Sequence, residues 1–392
     1  MFLKMEENVN KLESKPKRLE YIDVAKFVAI FLVILCHAIG GDGEIRHIGY
    51  SFHLPIFFIL NGITLRIKED EPFGMYLQRK MKSYLIPIFC LGILCIFAEM
   101  MMASIRGTPY EINYIGNMII NLIEQKRVFP LWFVGSLFFA DVFFYAVYKA
   151  SKNKLPLLCF FSLLFLGGGI FFNKYFNWTY VWNIDVSLFG VFFIFIGYTF
   201  SHKSLTKVRK FVLSKRWISL LIGIGLFLIG LLISEYNYHT YNLHLEMWAR
   251  QYEKYYLTIP AAILSSIGVI LMCNGIRNKV MAEFGKATLI LLPFHQIVTI
   301  PLFNDYIAHD WFVSLTPVAW SNDYQWAFYS LTSAVFSTGV LLLFYYFIIY
   351  SPFAFIINRK IPLYYKNLYS LVKTKVLNLK NKIFHKEDEN KV

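Results

Sequence analysis

The amino-acid sequence predicts an all-α polytopic integral membrane protein with about ten transmembrane helices. Of its 392 residues, 57% are hydrophobic and only 16% are charged, whereas about a quarter of the residues of a soluble domain are charged. About ten apolar stretches approach the roughly 20 residues that an α-helix needs to cross a hydrocarbon core of about 30 Å. The basic residues are concentrated in every second connection between these stretches, which is the pattern that orients membrane proteins.

The apolar stretches follow one another along most of the chain. The first comes after a charged leader of 21 residues and has no small-residue cleavage site, which distinguishes it from a secretory signal peptide. The second and the ninth are short and contain polar residues. In order, the predicted spans are residues 22–39, 51–66, 84–105, 129–148, 155–172, 182–200, 217–234, 256–274, 287–303 and 328–350.

The distribution of Lys and Arg predicts how the chain is oriented. With a cytoplasmic N-terminus, the cytoplasmic segments contain 31 of the 39 basic residues and the external loops contain seven. Because cytoplasmic loops carry the excess of basic residues, we expect both termini in the cytoplasm and the protein in a cell membrane, that of a bacterium. The net charge of +14 then reflects membrane topology, and nucleic acid is not an expected partner.

The connections are too short for a second folded domain, so one membrane domain is predicted between two terminal segments. Residues 1–21 form a cytoplasmic leader, residues 22–358 the membrane domain, and residues 359–392 a basic cytoplasmic tail. In the tail, leucines and other apolar residues are spaced among lysines, which indicates a cationic amphipathic helix lying on membrane lipid. A disordered basic tail is the alternative.

Three ionisable residues, Asp23, Lys26 and His37, lie in the first predicted span. At about 100° per residue, Lys26 and His37 differ in direction by only about 20°, and Asp23 lies one turn before Lys26. Ionisable side chains are unfavourable in lipid, so this face is expected to line a cavity or to contact a partner. Alternatively, Asp23 and Lys26 neutralise each other near the inner interface, and His37 forms a hydrogen bond with a neighbouring helix.

Two further histidines lie in predicted spans. His53 begins the second span just before Pro55, and we expect it near the outer surface, within reach of His37. His295 lies near the middle of the ninth span, two residues after Pro293, whose ring removes a backbone donor. Imidazoles are good zinc ligands, but no two of these histidines have i, i+4 spacing and few carboxylates are near, so no metal site is expected.

The remaining polar residues of the spans are each interpreted as structural. The polar interruptions concerned are Glu99, Asp141, Asp185 and Gln296. The other histidines fall in predicted loops or in the tail, where they need no special explanation; they are His47, His202, His239, His244, His309 and His385.

These residues together resemble the membrane acyltransferase family 3, and specifically its fucose 4-O-acetylase-like branch. A basic residue followed by ten residues and a histidine in the first span is similar to the signature of that family, which usually has ten spans. The resemblance is carried by residues 18–26 leading to His37, residues 52–58 leading to Asn61, residues 131–134 at the start of the fourth span, and residues 284–289 leading to His295.

The resemblance implies transfer of an acyl group, usually acetyl from cytoplasmic acetyl-CoA, to a hydroxyl of a cell-surface or lipid-linked saccharide. His37 is then the expected general base, because an imidazole pKa near the working pH suits proton abstraction. The other expected site residues fall into three groups. His53 and Asp23 are expected to be catalytic together with His37, Lys26, Arg79 and Lys82 to contact the acyl-CoA, and Trp132, Asn61 and His295 to contact the acceptor. Acetyl and succinyl donors are both compatible with the sequence.

A transporter or flippase of glycans or lipid-linked sugars is the competing interpretation. Ten spans, interrupted helices and internal charges are also features of transporters. The sequence shows no repeated pair of interrupted segments, and its internal ionisable residues are concentrated in the first two spans. These two observations favour the transferase.

Overall fold

The structure is a computed structural model that describes residues 18–38, 44–126, 129–176, 181–242, 245–252, 254–307, 322–357 and 359–365. Within these ranges the regular structure is helical, apart from an isolated β-bridge between Glu246 and Gln251. The predicted all-α class is therefore confirmed. Most of the predicted leader, and the predicted tail after residue 365, lie outside the described residues.

Fifteen α-helices form the framework of the described chain. They are α1 (Glu20–Ala38), α2 (Glu44–Tyr50), α3 (Pro55–Thr64), α4 (Phe73–Ile105), α5 (Ile112–Glu124), α6 (Trp132–Ser151), α7 (Leu155–Tyr175), α8 (Ile184–Ser201), α9 (Thr206–Ser214), α10 (Arg216–Tyr241), α11 (Tyr255–Ile276), α12 (Lys279–Phe284), α13 (Thr288–Phe294), α14 (Ile300–Leu302) and α15 (Asn322–Ile349). Short 3₁₀ turns cover Val181–Asn183, Lys203–Leu205, Gly285–Ala287 and Pro352–Ile357.

Nine helical segments of the described chain are long and apolar enough to cross a membrane. They comprise α1, α4, α6, α7, α8 with the preceding 3₁₀ turn, α10, α11, the segment Lys279–Ile307, and α15 from Ala327. This confirms a polytopic membrane protein and agrees with nine of the ten predicted spans.

The second predicted span, residues 51–66, is wrong as a continuous crossing. Residues 51–54 form a turn, and a new helix of ten residues, α3, begins at Pro55. Ten residues extend only about 15 Å, half of the hydrocarbon thickness. Nearly all of α3 is buried in protein, which is where interrupted helices are tolerated at membrane depth.

The chain divides into two compact units. Unit 1 comprises Met1–Leu32, His47–Leu65 and Ile196–Thr288. Its most extensive contact joins α10 and α11, whose glycines bring the two backbones together: a Cβ atom on Gly268 would lie 2.6 Å from the backbone nitrogen of Phe227. Likewise, a Cβ atom on Gly197 would lie 2.0 Å from the carbonyl oxygen of Ile59 on α3. Such close approach by small residues is typical of helix packing in membranes.

Unit 2 comprises Val33–Arg46, Arg66–Phe195 and Leu289–Val392. Its distinctive feature is a helix with two π-helical segments, His295–Thr299 and Phe303–Ile307, which flank α14. Pro293 and Pro301 stand in this stretch and remove two backbone donors from it. The widened turns place His295 in the interior of unit 2, where it is fully buried.

Candidate active site

Two histidines form the centre of the candidate site in unit 2. His37 lies in the last turn of α1, and His295 begins the first π-helical segment. Nε2 of His295 is 2.9 Å from Nδ1 of His37, and the ring centroids are 4.9 Å apart. His295 is fully buried, whereas His37 is half-buried.

The hydrogen bonds of this pair determine where the protons lie when both rings are neutral. Nδ1 of His295 is 3.0 Å from the carbonyl oxygen of Leu291, which only accepts, so this nitrogen carries the proton. Nε2 of His295 therefore accepts from Nδ1 of His37, and the lone pair of His37 is on its Nε2 atom. A second group that fixes the tautomer and the ring orientation of a histidine is typical of sites where that histidine handles protons.

His53 lies in unit 1, in the turn before α3, and is held by its own neighbours. Its Nδ1 atom donates to the carbonyl oxygen of Gly49 at 2.9 Å, and its ring stacks on Tyr50 with centroids 4.8 Å apart. It is only 6% exposed. These contacts place the lone pair of a neutral His53 on Nε2.

Asp23 is bound mainly by Arg18, a residue to which the sequence reasoning gave no site role. The Arg18 guanidinium donates to both carboxylate oxygens, at 2.5 and 2.9 Å, while Nζ of Lys26 is 3.8 Å away. A bidentate bond is the stronger of the two interactions. The contact between Asp23 and Lys26, which the alternative interpretation invoked, is thus present only as the weaker of the two. Gly285 also packs against Asp23, since a Cβ atom there would lie 1.8 Å from its carbonyl oxygen.

Arg79, an expected acyl-CoA contact, is bound by Glu71 from the preceding loop. Nε and Nη2 of Arg79 donate to the two carboxylate oxygens at 3.0 and 2.8 Å. This bond holds the pKa of Glu71 below its ordinary value. The loop is itself fixed to α6, because the Tyr145 hydroxyl donates to the carbonyl oxygen of Glu71 at 2.6 Å. Nη1 of Arg79 forms no hydrogen bond with the described residues.

A buried charge cluster that joins α4 to α6 was missed at the sequence level. Asp141 is fully buried and forms an ion pair with Lys80. The Tyr76 hydroxyl donates to the same carboxylate at 2.9 Å, and the Tyr84 hydroxyl donates at 3.0 Å. Each residue alone looks like an isolated polar interruption or a basic residue at the membrane surface, and only the packing of two helices brings them together.

Three other expected site residues, Lys82, Trp132 and Asn61, have surroundings that do not by themselves indicate a role. Lys82 is exposed on α4. Trp132 is 7% exposed and packs edge-on against Phe133, with ring centroids 6.0 Å apart. The amide nitrogen of Asn61 is buried on α3 and forms no hydrogen bond with the described residues.

His47 does not lie in a loop, contrary to the sequence-based expectation. It lies on α2, is 2% exposed, and stacks on Tyr238 with centroids 4.3 Å apart. Its Nε2 atom is 3.5 Å from a carboxylate oxygen of Glu235. The burial of His47 could not be predicted from the sequence, because α2 is short and the residues that cover His47 belong to α10, which is distant in the sequence.

Among the described residues, no group of three or more His, Cys, Asp or Glu side chains is arranged to hold a metal ion. The histidine pair is suited to proton transfer, and basic side chains such as Arg79 are suited to anion recognition.

Comparison with known proteins identifies the family of the chain. Residues 19–346 match the sequence model of the acyltransferase 3 family, which is described as an acyltransferase domain. No curated protein and no solved structure matches the chain. The matched region includes both histidines of the pair and all nine long helices except the last three residues of α15. Because the match covers most of the sequence, the chain belongs to the acyltransferase 3 family of membrane acyltransferases.

Proposed function

We propose that the protein transfers an acetyl or another short acyl group from cytoplasmic acyl-CoA to a hydroxyl of a cell-surface or lipid-linked saccharide. Within the acyltransferase 3 family, the motifs around His37 and Asn61 favour the fucose 4-O-acetylase-like branch. The observation that carries the proposal is the hydrogen bond from Nδ1 of His37 to Nε2 of His295, since it leaves His37 with a basic Nε2 atom.

In this mechanism, Nε2 of His37 accepts the proton of the acceptor hydroxyl as the oxygen attacks the thioester carbonyl. The tetrahedral intermediate then collapses, the carbon–sulfur bond breaks, and the CoA thiolate takes the proton from the His37 imidazolium. Proton transfer of this kind contributes about 10² to 10⁴ in rate. His295 is a positioning residue, because its Nε2 atom orients His37 and stabilises the proton on Nδ1.

The basic residues on α1 and α4 are proposed to bind the donor. Lys26 is one third exposed, and its ammonium group is suited to a phosphate or to the thioester carbonyl. Arg79 keeps its Nη1 donors for a nucleotide phosphate while Glu71 holds its orientation. Fixed positive charge acts strongly on such groups where water is excluded. Lys82, exposed on the same helix as Arg79, adds long-range attraction for the anionic donor.

On the acceptor side, Asn61, Trp132 and His53 stay proposals that derive from the family resemblance. The buried amide nitrogen of Asn61 supports a polar role, because a buried donor without a partner is unfavourable until a ligand or water binds it. Trp132 is largely covered, so little of its surface is available for contact with a sugar.

We further propose a cell-membrane location with both termini in the cytoplasm. This requires α2 and α3, with the turn between them, to make one interrupted crossing in addition to the nine long helices. Cysteine accessibility from either side of right-side-out vesicles, tested at positions before α1 and after α15, checks this topology.

The experiment that tests the function is acyl transfer by the purified full-length protein in lipid nanodiscs. Radiolabelled acetyl-CoA is supplied with lipid-linked or polysaccharide acceptors, and product is followed together with released CoA thiol. We expect His37→Gln to reduce transfer by at least about 100-fold, whereas His239→Gln, at a 62% exposed histidine, leaves it unchanged. Equal activity of the His37→Gln variant would exclude the base role. A transporter would consume no acetyl-CoA, so a wild-type protein that releases no thiol with any acceptor would contradict the proposal.

A further inference from the structure

The guanidinium group of Arg79 has two supports within unit 2. The first is the carboxylate of Glu71, which accepts two hydrogen bonds from it. The second is the ring of Tyr76, one turn earlier on α4, whose centroid is 5.0 Å from Cζ of Arg79. A guanidinium within about 6 Å of an aromatic ring centroid is attracted to the ring. The Arg79 side chain is nevertheless 44% exposed, so its orientation is fixed while part of it stays open to a ligand.

The ring of Tyr76 is itself fixed by α6. Tyr76 is fully buried, and its hydroxyl donates to Oδ1 of Asp141 at 2.9 Å. The ring also stacks on Tyr145, with centroids 4.4 Å apart. A hydrogen bond to a charged acceptor is about twice as strong as one between neutral groups, and Lys80 keeps Asp141 charged through its ion pair. The ring therefore has little freedom to move away from Arg79.

The loop that carries Glu71 is attached to the same helix. The Tyr145 hydroxyl donates to the carbonyl oxygen of Glu71 at 2.6 Å. One turn later on α6, Nζ of Lys149 donates to the carbonyl oxygen of Glu69 at 2.6 Å. Tyr145 thus contributes to both supports of Arg79, because its ring stacks on Tyr76 and its hydroxyl holds the loop.

We propose that Tyr76 and Tyr145 are positioning residues that orient Arg79 for a phosphate group of the acyl donor. This inference rests on the proposed function and deepens it, because it makes donor recognition depend on α6 as well as on α4. Neither tyrosine has to touch the donor. Ordering a flexible side chain on binding lowers affinity, and a guanidinium that is already oriented avoids most of that cost.

Tyr84 separates this role from a purely structural one. Its hydroxyl donates to the same carboxylate of Asp141, at 3.0 Å, and its ring centroid is 5.8 Å from Nζ of Lys80. Tyr84 lies about 140° around α4 from Arg79, however, whereas Tyr76 lies only about 60° from it. Replacing Tyr84 therefore disturbs the buried charge cluster and leaves the ring beside Arg79 in place.

The test measures binding of adenosine 3′,5′-bisphosphate, a fragment of coenzyme A, to the full-length protein in phosphatidylcholine nanodiscs by equilibrium dialysis. We expect Tyr76→Leu to weaken binding roughly tenfold and the matched control Tyr84→Leu to change it by less than twofold. Both variants lose a hydrogen bond to Asp141. Equal weakening would therefore identify the charge cluster as the cause and overturn the proposal.

A double-variant cycle with Arg79→Gln shows whether Tyr76 acts through Arg79. Once the guanidinium is absent, adding Tyr76→Leu should weaken binding by less than a further twofold, because the effects of coupled residues are not additive. A full, independent loss in the Arg79→Gln background would overturn the proposal. Tyr76→Phe keeps the ring and should recover most of the binding that Tyr76→Leu loses, and a Phe variant as weak as the Leu variant would contradict the ring contact.

Tyr145→Phe keeps the proposal testable if the loss of a buried ring prevents Tyr76→Leu from folding. It retains the stacked ring and removes only the bond to the Glu71 carbonyl oxygen. We expect roughly threefold weaker bisphosphate binding, compared with Tyr84→Phe as the control, and a higher KM for acetyl-CoA with kcat within twofold of the wild type. Unchanged binding, or a lower kcat at an unchanged KM, would contradict a role in donor positioning.

The outcomes also distinguish this inference from the proposed function. A wild-type protein that shows the coupling of Tyr76 to Arg79 in bisphosphate binding but releases no CoA thiol would leave the positioning role standing while the proposed function fails. Conversely, if acyl transfer occurs but Arg79→Gln leaves bisphosphate binding unchanged, the positioning role is overturned and the proposed function stands.

Discussion

His37 and His295, which are 258 positions apart in the sequence, share a hydrogen bond of 2.9 Å in the interior of unit 2. The bond has a direction, because the Leu291 carbonyl oxygen fixes the proton of His295 on Nδ1. His295 is therefore an acceptor toward His37. The tautomer of a neutral His37, and with it the position of its lone pair, depends on this hydrogen bond.

Replacing His295 should reduce acyl transfer without weakening donor binding. His295→Phe removes the acceptor for Nδ1 of His37, so the imidazole loses its fixed tautomer, and we expect turnover to fall roughly 100-fold at an unchanged KM for acetyl-CoA. His295→Gln, which can accept through its amide oxygen, should recover part of the rate. The measurement is steady-state transfer over a pH series. A Gln variant no better than the Phe variant would show that the hydrogen bond is not what matters.

The buried pair of Lys80 and Asp141 should behave as a unit. Asp141→Ala leaves an unpaired charge in the interior and should destabilise the protein by about 3 to 5 kcal/mol, whereas the double variant Lys80→Met with Asp141→Leu should lose much less. Thermal unfolding in detergent, followed by tryptophan fluorescence, gives the comparison. As a control, Glu283→Gln breaks an ion pair with Lys286 that is partly exposed to solvent, and it should have a much smaller effect. If the loss of stability in the double variant equals the sum of the losses in the two single variants, Lys80 and Asp141 are not coupled.

The Glu71–Arg79 bond should contribute stability that depends on pH. The Arg79 guanidinium lowers the pKa of Glu71 from its ordinary value of 4.5, so the contribution is complete above that pH and is lost as the pH falls through the lower, folded-state pKa. Accordingly, Glu71→Gln should melt below the wild type at pH 7, and the difference should shrink as the solution is acidified below 4.5. Glu69→Gln, in the same loop, is the matched control. A melting-temperature difference between the wild type and Glu71→Gln that stays constant down to acid pH would contradict the role of the Glu71–Arg79 bond.

The packing of α10 on α11 should tolerate no side chain at Gly268. A Cβ atom there meets backbone atoms of Phe227 and Gly223 at 2.6 and 2.7 Å, and backbone atoms cannot move aside singly, so Gly268→Ala should destabilise by about 1 to 3 kcal/mol. Gly225 on α10 has open space at the same position. Gly225→Ala should be neutral or stabilising, since alanine favours helices by up to about 1 kcal/mol. The measurement is thermal unfolding of the two variants side by side. Equal decreases in melting temperature would mean that the short distances around the Gly268 Cβ position are not the cause of the destabilisation.

Much of the fold could be predicted because membrane helices are specified locally. Apolar stretches of sufficient length identify nine helices that the structure contains. The exception, residues 51–66, shows the limit of this reasoning. A buried ten-residue helix has the same apolar composition as half of a span, and only the contacts with neighbouring helices make its short length stable.

The candidate site was predictable in its residue types and less so in its pairings. His37, His295 and Asp23 could be selected because ionisable residues in apolar stretches are conspicuous, whereas Arg79 was selected through the family resemblance. Their partners could not be inferred, since Arg18 is bound to Asp23 through a local turn and Lys80 meets Asp141 across 61 positions. The sequence also gives no sign that His47 is buried, because its cover is contributed by α10.

The two π-helical segments make the chain around His295 sensitive to length as well as to composition. A π turn holds one residue more than an α turn, so deleting a single residue between His295 and Thr299 would restore a regular α-helix. Because one α turn would then replace one π turn, the residues after the deletion would keep nearly the same direction. The ring packing of Phe303 on Tyr329 and Phe336 could be retained, whereas the widened backbone that begins at His295 would be lost. A related sequence that lacks one residue here is therefore expected to orient His295 differently, even if every named side chain is retained.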